Sequence, residues 1–298
     1  MADITLSRRT RGILCILLAA LCFSAMSACV RLAGDDLPTI QKAFFRNFVA
    51  LLAALALSRR KGVSWKPARK SLPALLGRSV FGTAGLILNF YAIDHLALAD
   101  ANMLNKLSPF FAILFSVWLL REKPDAVQIG AVAVAFLGSL CIMKPGFQDT
   151  PFLPALAGFF SGMGAGIAYT FVRKLGTMGE DSHRIVLFFS AFSCAVCLPG
   201  MLFSHAPMSL RQLGFLMLAG LCGCIAQFAV TRAYLYAPAK ELSVYDYTQV
   251  IFATLWGFLL FGQVPDALSV LGYLLVCGAG VGMFLYHKYK DNAPQPTK

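Results

Sequence analysis

Residues 92–125 read AIDHLALADANMLNKLSPFFAILFSVWLLREKPD, and residues 233–266 read AYLYAPAKELSVYDYTQVIFATLWGFLLFGQVPD. The two stretches align without a gap at an offset of 141 residues, the difference between 233 and 92. The pairs that coincide or are chemically alike are Gly82 with Gly223 just upstream, Ala92 with Ala233, Asp100 with Glu241, Phe111 with Phe252, Ala112 with Ala253, Leu114 with Leu255, Leu119 with Leu260, and Pro124-Asp125 with Pro265-Asp266. A constant register over this length predicts a chain built from two similar halves.

Apolar blocks make up most of the remaining sequence. The chain is 58% hydrophobic and 13% charged, whereas soluble domains are roughly half apolar and about a quarter charged. Ten apolar runs fall near residues 12–32, 39–58, 72–93, 97–120, 126–143, 153–172, 184–204, 209–231, 239–262 and 266–287. Each is roughly 18–24 residues long, enough at about 1.5 Å per residue to cross a hydrocarbon core about 30 Å thick. The sequence therefore predicts an all-α polytopic membrane protein with ten transmembrane helices.

Five spans fall in each half, which predicts repeats at residues 1–146 and 147–298. Because five is an odd number, the second half enters the membrane from the opposite side. The result is a 5+5 inverted-topology repeat, an architecture in which transporters bind substrate near the bilayer midplane where the halves meet. The basic N-terminus has no convincing cleavage site after it, so the first span is expected to stay in the mature protein.

The basic residues predict the orientation. If the N-terminus is cytoplasmic, the connectors and termini on that side hold 19 of the Lys and Arg residues, and the other side holds only Arg31, Lys42, Lys144 and Arg211. This asymmetry places both termini in the cytoplasm, and the short loops fit a bacterial plasma (inner) membrane. The net charge of +12 is spread over connectors between apolar runs, which argues against a nucleic-acid partner.

The nine cysteines lie in apolar runs and predict no metal site. Cys194-x-x-Cys197 and Cys222-x-Cys224 lack histidine partners or a second ligand pair at zinc spacing. The connectors also lack a serine nucleophile motif and a phosphate-binding loop. We therefore expect no cofactor and no enzymatic activity.

The runs 96–101 (LALADA), 107–112 (LSPFFA) and 118–123 (WLLREK) resemble the signature of EamA-type transporters of the drug/metabolite transporter superfamily. The resemblance covers the whole chain, with an echo at residues 255–266; the second copy has Gln249-Val250-Ile251 in place of the Ser-Pro-Phe element. It implies a central cavity, alternating access without ATP, and a small-molecule substrate of the amino acid, organic ion, cofactor or sugar type.

Three of the ionisable residues within the predicted spans stand out. Lys106, Asp246 and Arg46 would each cost at least about 2.5–3.5 kcal/mol to place in a bilayer, so residues of this kind usually face a cavity. Asn102, Asn105 and Lys106 share one helical face by their spacing. Polar residues also recur at the equivalent place in the second half. The predicted substrate-binding residues are Lys106, Asn105, Asn102, Asp246, Tyr245, Gln249, Asn89, Gln227, Arg46 and Tyr169.

Structural roles are the alternatives for several of these residues. Lys106 and Asp246 can pair with each other as a helix-locking ion pair. Arg46 can snorkel or neutralise a helix C-terminus, and Asn89 and Gln227 can join helices by hydrogen bonds. Outside this set, two further features are expected to be structural: Arg78 and Arg232 as boundary anchors, and Gly162-x-x-x-Gly166 and Gly278-x-x-x-Gly282 as packing faces.

A cavity with Lys106 and Arg46 against Asp246 favours a small anionic or zwitterionic metabolite, with its carboxylate at Lys106 and Asn105 and any amino group near Asp246. Asp246 is also a candidate for a coupling-proton site, because a low-dielectric surrounding favours the protonated carboxyl group; exchange against a counter-substrate is the other option.

A lipid-like or lipophilic-drug exporter is the rival function, and it predicts a more apolar cavity. A channel is disfavoured because no filter-like loop is present. Both a monomer and a homodimer are compatible with the repeats.

Replacement of Lys106 by Gln is expected to abolish transport and to leave folding intact, because it removes the cation that would hold the substrate carboxylate. Uptake of radiolabelled substrate into proteoliposomes measures this effect. Normal uptake by Lys106→Gln would contradict the assignment of Lys106 to the substrate.

Overall fold

The computed structural model describes residues 8–60, 62, 67–120, 124–145, 151–237 and 239–292. Within these ranges the chain forms twelve helices and no strand: α1 Arg8–Leu32, α2 Thr39–Arg60, α3 Leu72–His95, α4 Leu98–Asn105, α5 Ser108–Leu119, α6 Ala126–Met143, α7 Phe152–Thr177, α8 Ser182–Phe203, α9 Leu210–Tyr236, α10 Ala239–Asp246, α11 Thr248–Phe261 and α12 Ala267–Asn292. The boundary between the predicted repeats lies outside the described residues. So do Lys61, Lys66, Arg121, Lys123 and Lys298, which were counted for the orientation.

The helices confirm an all-α membrane protein with ten spans. Nine stretches of the described chain are long and apolar enough to cross a membrane. The remaining predicted span, 97–120, is divided into α4 with 8 residues and α5 with 12 residues. The spans match the predicted ones within a few residues, but an unbroken fourth helix, which the shared face of Asn102, Asn105 and Lys106 assumed, is wrong.

Pro109 explains the break between α4 and α5. It lies in the first turn of α5, where a missing N–H is tolerated, but its ring would clash with the carbonyl group four residues earlier in a continuous helix. The chain therefore ends α4 at Asn105, and the backbone N–H of Lys106 still donates to the carbonyl groups of Asn102 and Met103. The interruption lies in the middle of a span.

The second half contains the same break without a proline. At the 141-residue offset, α4 (Leu98–Asn105) falls on α10 (Ala239–Asp246) residue for residue. The Thr248 hydroxyl group donates to the carbonyl oxygen of Tyr245 at 2.7 Å, so a side chain takes up a carbonyl group that the interrupted helix leaves free. Two broken spans at equivalent positions are the mark of a transporter binding region.

Equivalent helices of the two halves make equivalent contacts with the opposite half. α1 lies along α9, and its counterpart α7 lies along α3. In the same way α5 packs on α7 and α11 packs on α1, while α2 pairs with α8 and α6 pairs with α12. Each of these contacts therefore has a symmetry-related partner or is its own counterpart, which supports the 5+5 inverted repeat.

Only one of the two predicted glycine faces is a packing face within the described chain. A methyl group at Gly162 would lie 2.5 Å from the carbonyl oxygen of Leu104, and one at Gly166 would lie 2.6 Å from the carbonyl oxygen of Ser108. The backbone of α7 therefore rests against the broken span on both sides of its interruption. Gly278 and Gly282 have no described atom within 4 Å of such a methyl group, so the prediction for that pair is wrong.

Substitution of Gly162 by Ala is expected to lower the free energy of unfolding by about 1–3 kcal/mol, because the backbone of α4 cannot yield as a flexible side chain would. Gly278→Ala is the matched control and should leave the thermal midpoint in mild detergent unchanged or slightly raised. Equal midpoints for the two variants would contradict the close approach of α7 to α4.

Candidate functional site

One end of the bundle is closed by polar contacts among helix ends and connecting loops. This end carries the α1–α2 connection and is called the loop end here. Lys42 and Asp94 form a buried ion pair there at 2.7 Å. Gln41 exchanges two hydrogen bonds with the backbone of Ala206, both at 2.9 Å, and Gln263 accepts from the backbone N–H of Leu98 at 2.9 Å. The second and third of these contacts join the two halves, so the halves are in contact at the loop end.

A cavity lies in the middle of the bundle. Arg46 is seven residues from the start of α2 at the loop end, and Arg78 is six residues from the start of α3 at the other end, so their backbones lie roughly 10 Å inside each end at about 1.5 Å per residue. The volume is about 70 Å³, enough for a few water molecules. The polar residues that line it are Arg46, Arg78, Asn89, Asn105, Tyr169, Gln227 and Gln249.

Arg46 is buried in this cavity, with 1% of its surface exposed. Its Nη1 atom donates to Asn47 Oδ1 at 2.7 Å and its Nη2 atom donates to the carbonyl oxygen of Gly223 at 3.3 Å. Its Nε atom has no partner, and no carboxylate among the described residues pairs with the guanidinium group. Arg46 therefore does not snorkel to the membrane boundary; it presents a cation to the cavity.

Arg78 is a second buried cation, and its assignment as a boundary anchor is wrong. Its residue surface is 2% exposed, its Cζ atom lies 4.0 Å from the centroid of the Phe189 ring, and it lines the cavity. Depth along the helix misled the prediction, because the long side chain extends away from its Cα position near the helix start. Its Nε atom also lacks a partner among the described residues.

Amide side chains form the rest of the polar lining. Asn105 Nδ2 donates to Ser161 Oγ at 3.1 Å, and Gln227 Nε2 donates to Thr231 Oγ1, on its own helix, at 3.3 Å. The oxygen atoms Asn89 Oδ1 and Gln249 Oε1 are buried and accept no hydrogen bond from any described residue. Among the described residues, neither Asn89 nor Gln227 makes a side-chain hydrogen bond to another helix, and two residues of the cavity lining carry buried acceptors without a described donor.

Aromatic rings complete the cavity wall. Tyr169 stacks on Tyr234 with ring centroids 4.6 Å apart and an interplanar angle of 13°. Phe189 lies beside both guanidinium groups, with Arg46 Cζ at 6.0 Å from its ring centroid. Sequence reasoning missed Phe189, because a phenylalanine in an apolar helix carries no signal of its own.

Lys106 and Asp246 form an ion pair with each other. Their atoms Nζ and Oδ1 are 2.7 Å apart, with 4% and 3% of the two side chains exposed. Neither residue lines the cavity, and the same holds for Asn102 and Tyr245. Asn102 instead accepts hydrogen bonds from Gln249 Nε2 at 2.6 Å and Ser27 Oγ at 3.2 Å. Of the ten predicted residues, six line the cavity and four lie outside its lining.

Two inverted five-span repeats with broken helices around a charged central cavity define a membrane transporter. The chain belongs to the EamA-like transporter family, whose model matches residues 10–144 and 152–285. It is a multi-pass membrane protein with a small-molecule substrate.

Two bacterial transporters are relatives of this chain, and one solved structure shares its fold. The chain is 34% identical to the pseudopaline exporter CntI of Pseudomonas aeruginosa, over 91% of this chain and 95% of that one. It is 26% identical to the riboflavin transporter of Vibrio cholerae, over 89% and 90% of the two chains. A solved structure titled only as a crystal structure of a protein aligns with a TM-score of 0.68 at 16% identity, covering 94% of this chain and 99% of the other.

The ion pair revises the expectation that Lys106→Gln leaves folding intact. Removal of Lys106 strands the buried Asp246 carboxylate, which should cost about 3–5 kcal/mol of folding free energy. The double variant Lys106→Gln/Asp246→Asn should recover most of that loss, because it buries no unpaired charge.

Thermal unfolding in mild detergent measures this effect. The matched control is the pair Lys144 and Asp266, whose Asp266 side chain is 56% exposed; Lys144→Gln should cost no more than about 1 kcal/mol. A double variant at 106 and 246 that is less stable than either single variant would contradict a simple ion pair.

Proposed function

We propose that the protein is a secondary transporter that moves a small hydrophilic metabolite, anionic or zwitterionic, across the plasma membrane by alternating access. The observation that carries the proposal is a cavity with two buried guanidinium groups, Arg46 and Arg78, that no described carboxylate neutralises. Lys106 and Asp246 cancel each other's charge, so the formal excess at the cavity is two positive charges instead of the single one that the sequence suggested.

A bound anion supplies what these arginines lack. Guanidinium groups bind carboxylates through two parallel charge-assisted hydrogen bonds, which are the strong class of hydrogen bond. In a low-dielectric cavity this attraction is larger than in water. The arginines therefore favour an anionic ligand over a neutral one, and they oppose a cation.

The unused amide oxygens extend the proposal to zwitterions. Asn89 Oδ1 and Gln249 Oε1 are buried acceptors without a described donor, and an unpaired buried acceptor costs about 1–3 kcal/mol. An amino or hydroxyl group of the substrate would satisfy them. We therefore propose that an amino group of the substrate meets these amides and not Asp246, which pairs with Lys106.

The relatives support a small metabolite as the substrate. The protein that shares 34% identity is named an exporter and another is named a riboflavin transporter, and the first favours export as the direction. The rival function is export of lipophilic or cationic drugs or of lipid-like solutes, and the two arginines at the cavity oppose its cationic substrates. The proposal also includes a location in the inner membrane with cytoplasmic termini, repeats at 1–146 and 147–298, coupling to a proton or exchange against a counter-substrate, and a monomer or homodimer as the assembly.

Transport into proteoliposomes tests the proposal. A panel of labelled organic acids, amino acids, nucleosides, amines and lipophilic cations should show saturable movement of carboxylate-bearing compounds. Arg46→Gln and Arg78→Gln should each weaken binding roughly ten- to hundredfold, since a hydrogen bond to a charged group contributes about 1.5–3 kcal/mol. Arg211→Gln, at the exposed start of α9, is the matched control and should transport normally. Transport of lipophilic cations alone, unaffected by either cavity variant, would contradict the proposal.

A further inference from the structure

Two equivalent glycines make room for the two cavity arginines. Gly82 on α3 and Gly223 on α9 are related by the 141-residue offset of the repeats. A methyl group at Gly82 would overlap the Nη1 atom of Arg78, and one at Gly223 would lie 2.6 Å from the Nε atom of Arg46. Each guanidinium group thus occupies the space that a side chain would otherwise fill, at positions that the repeat symmetry relates.

The two guanidinium groups occupy separate places. Arg78 lies against a glycine of its own helix, whereas Arg46 reaches from α2 across to α9 and donates to the carbonyl oxygen of Gly223 at 3.3 Å. Phe189 lies next to both, so the two Cζ atoms are separated by at most the sum of 6.0 Å and 4.0 Å. The groups are near enough for one small molecule to reach both.

Each guanidinium group retains hydrogen-bonding capacity for a ligand. Arg78 Cζ lies over the Phe189 ring at 4.0 Å from its centroid, and Arg78 Nε has no described hydrogen-bond partner. Arg46 has one Nη donor on Asn47 and the other on a backbone carbonyl group, while Nε has no described partner. Two like charges held this close repel each other, and two anionic groups would remove that repulsion.

We infer that the cavity contains two anion subsites, one at Arg46 and Gly223 and one at Arg78 and Gly82, and that the substrate is a metabolite with two carboxylates separated by a short chain. The inference rests on the proposed function and narrows its substrate class. A ligand with one carboxylate fills one subsite and leaves the other guanidinium group without a counter-ion.

Ligand-dependent thermal unfolding of the purified full-length chain in detergent tests the inference. The probes are butyrate as the monocarboxylate, the series succinate, glutarate, adipate and suberate as dicarboxylates, and glycerol 3-phosphate, which carries its charge on one group. A ligand that binds only the folded state stabilises it by an amount that grows with the logarithm of the ligand concentration divided by its Kd. Titrations of the midpoint against ligand concentration therefore give relative affinities. The best dicarboxylate should bind at least tenfold more tightly than butyrate.

Variants at the arginines and glycines separate the subsites. In Arg46→Gln or Arg78→Gln the dicarboxylate should bind about as tightly as butyrate, because only one subsite remains. The advantage of the dicarboxylate, meaning its affinity relative to that of butyrate, is then lost. Gly223→Ala and Gly82→Ala should each reduce that advantage by displacing one guanidinium group. Gly214→Ala on α9, where no described atom lies within 4 Å, is the control and should keep the full advantage.

Three outcomes would overturn the inference in distinguishable ways. Equal affinities for butyrate and every dicarboxylate in the unsubstituted protein would remove the two-subsite inference and leave the proposed anion transport standing. Tighter binding of glycerol 3-phosphate than of every dicarboxylate would show that both arginines converge on one group. No midpoint shift with any carboxylate would overturn the inference and the proposed function together.

Discussion

The ion pair between Lys106 and Asp246 joins the two interrupted spans, and the rest of the site depends on it. Lys106 is the first residue beyond α4 and Asp246 is the last residue of α10, so the pair spans the symmetry-related breaks. A broken helix in a bilayer needs internal partners for the backbone groups it releases, and side chains such as Thr248 supply them. Because the pair is buried and self-neutralising, it fixes both breaks in register without adding net charge to the cavity.

Because the Lys106–Asp246 pair is neutral, the net charge at the cavity comes from Arg46 and Arg78. Two cations that no described acid compensates are costly in a membrane, and this cost supports the proposed anionic ligand. The amide oxygens of Asn89 and Gln249 add acceptors at the same place. Positive charge surrounded by neutral acceptors fits a substrate that carries carboxylates and hydrogen-bond donors. These polar groups also distinguish the cavity from an apolar one.

Sequence reasoning predicted the fold and about half of the chemistry, for physical reasons. The length of the apolar runs predicted the spans, because a helix must be long enough to cross the hydrocarbon core. The 141-residue register predicted the inverted repeat, because each half contains an odd number of spans. Polar residues inside apolar spans identified Arg46, Asn89 and Gln227 as cavity residues. The helical-face argument failed at Lys106 because Pro109 ends the helix there, and Arg78 was missed because distance from a helix end does not tell where a long side chain goes.

The glycine pair shows how inverted repeats can become functionally unequal. Gly82 and Gly223 keep the repeat symmetry, but Arg78 falls on Ala219 at the same offset, and both arginines come from the first half. Arg78 lies against a glycine of its own repeat, whereas Arg46 lies against Gly223 of the other. A movement of one repeat relative to the other therefore changes the contact between Arg46 and Gly223 and leaves the contact between Arg78 and Gly82 intact, although it also moves Phe189 of the second repeat past Arg78. The proposed anion binding at Arg46 would thereby be linked to the relative position of the repeats, which is the differential contact that a ligand needs in order to shift a conformational equilibrium.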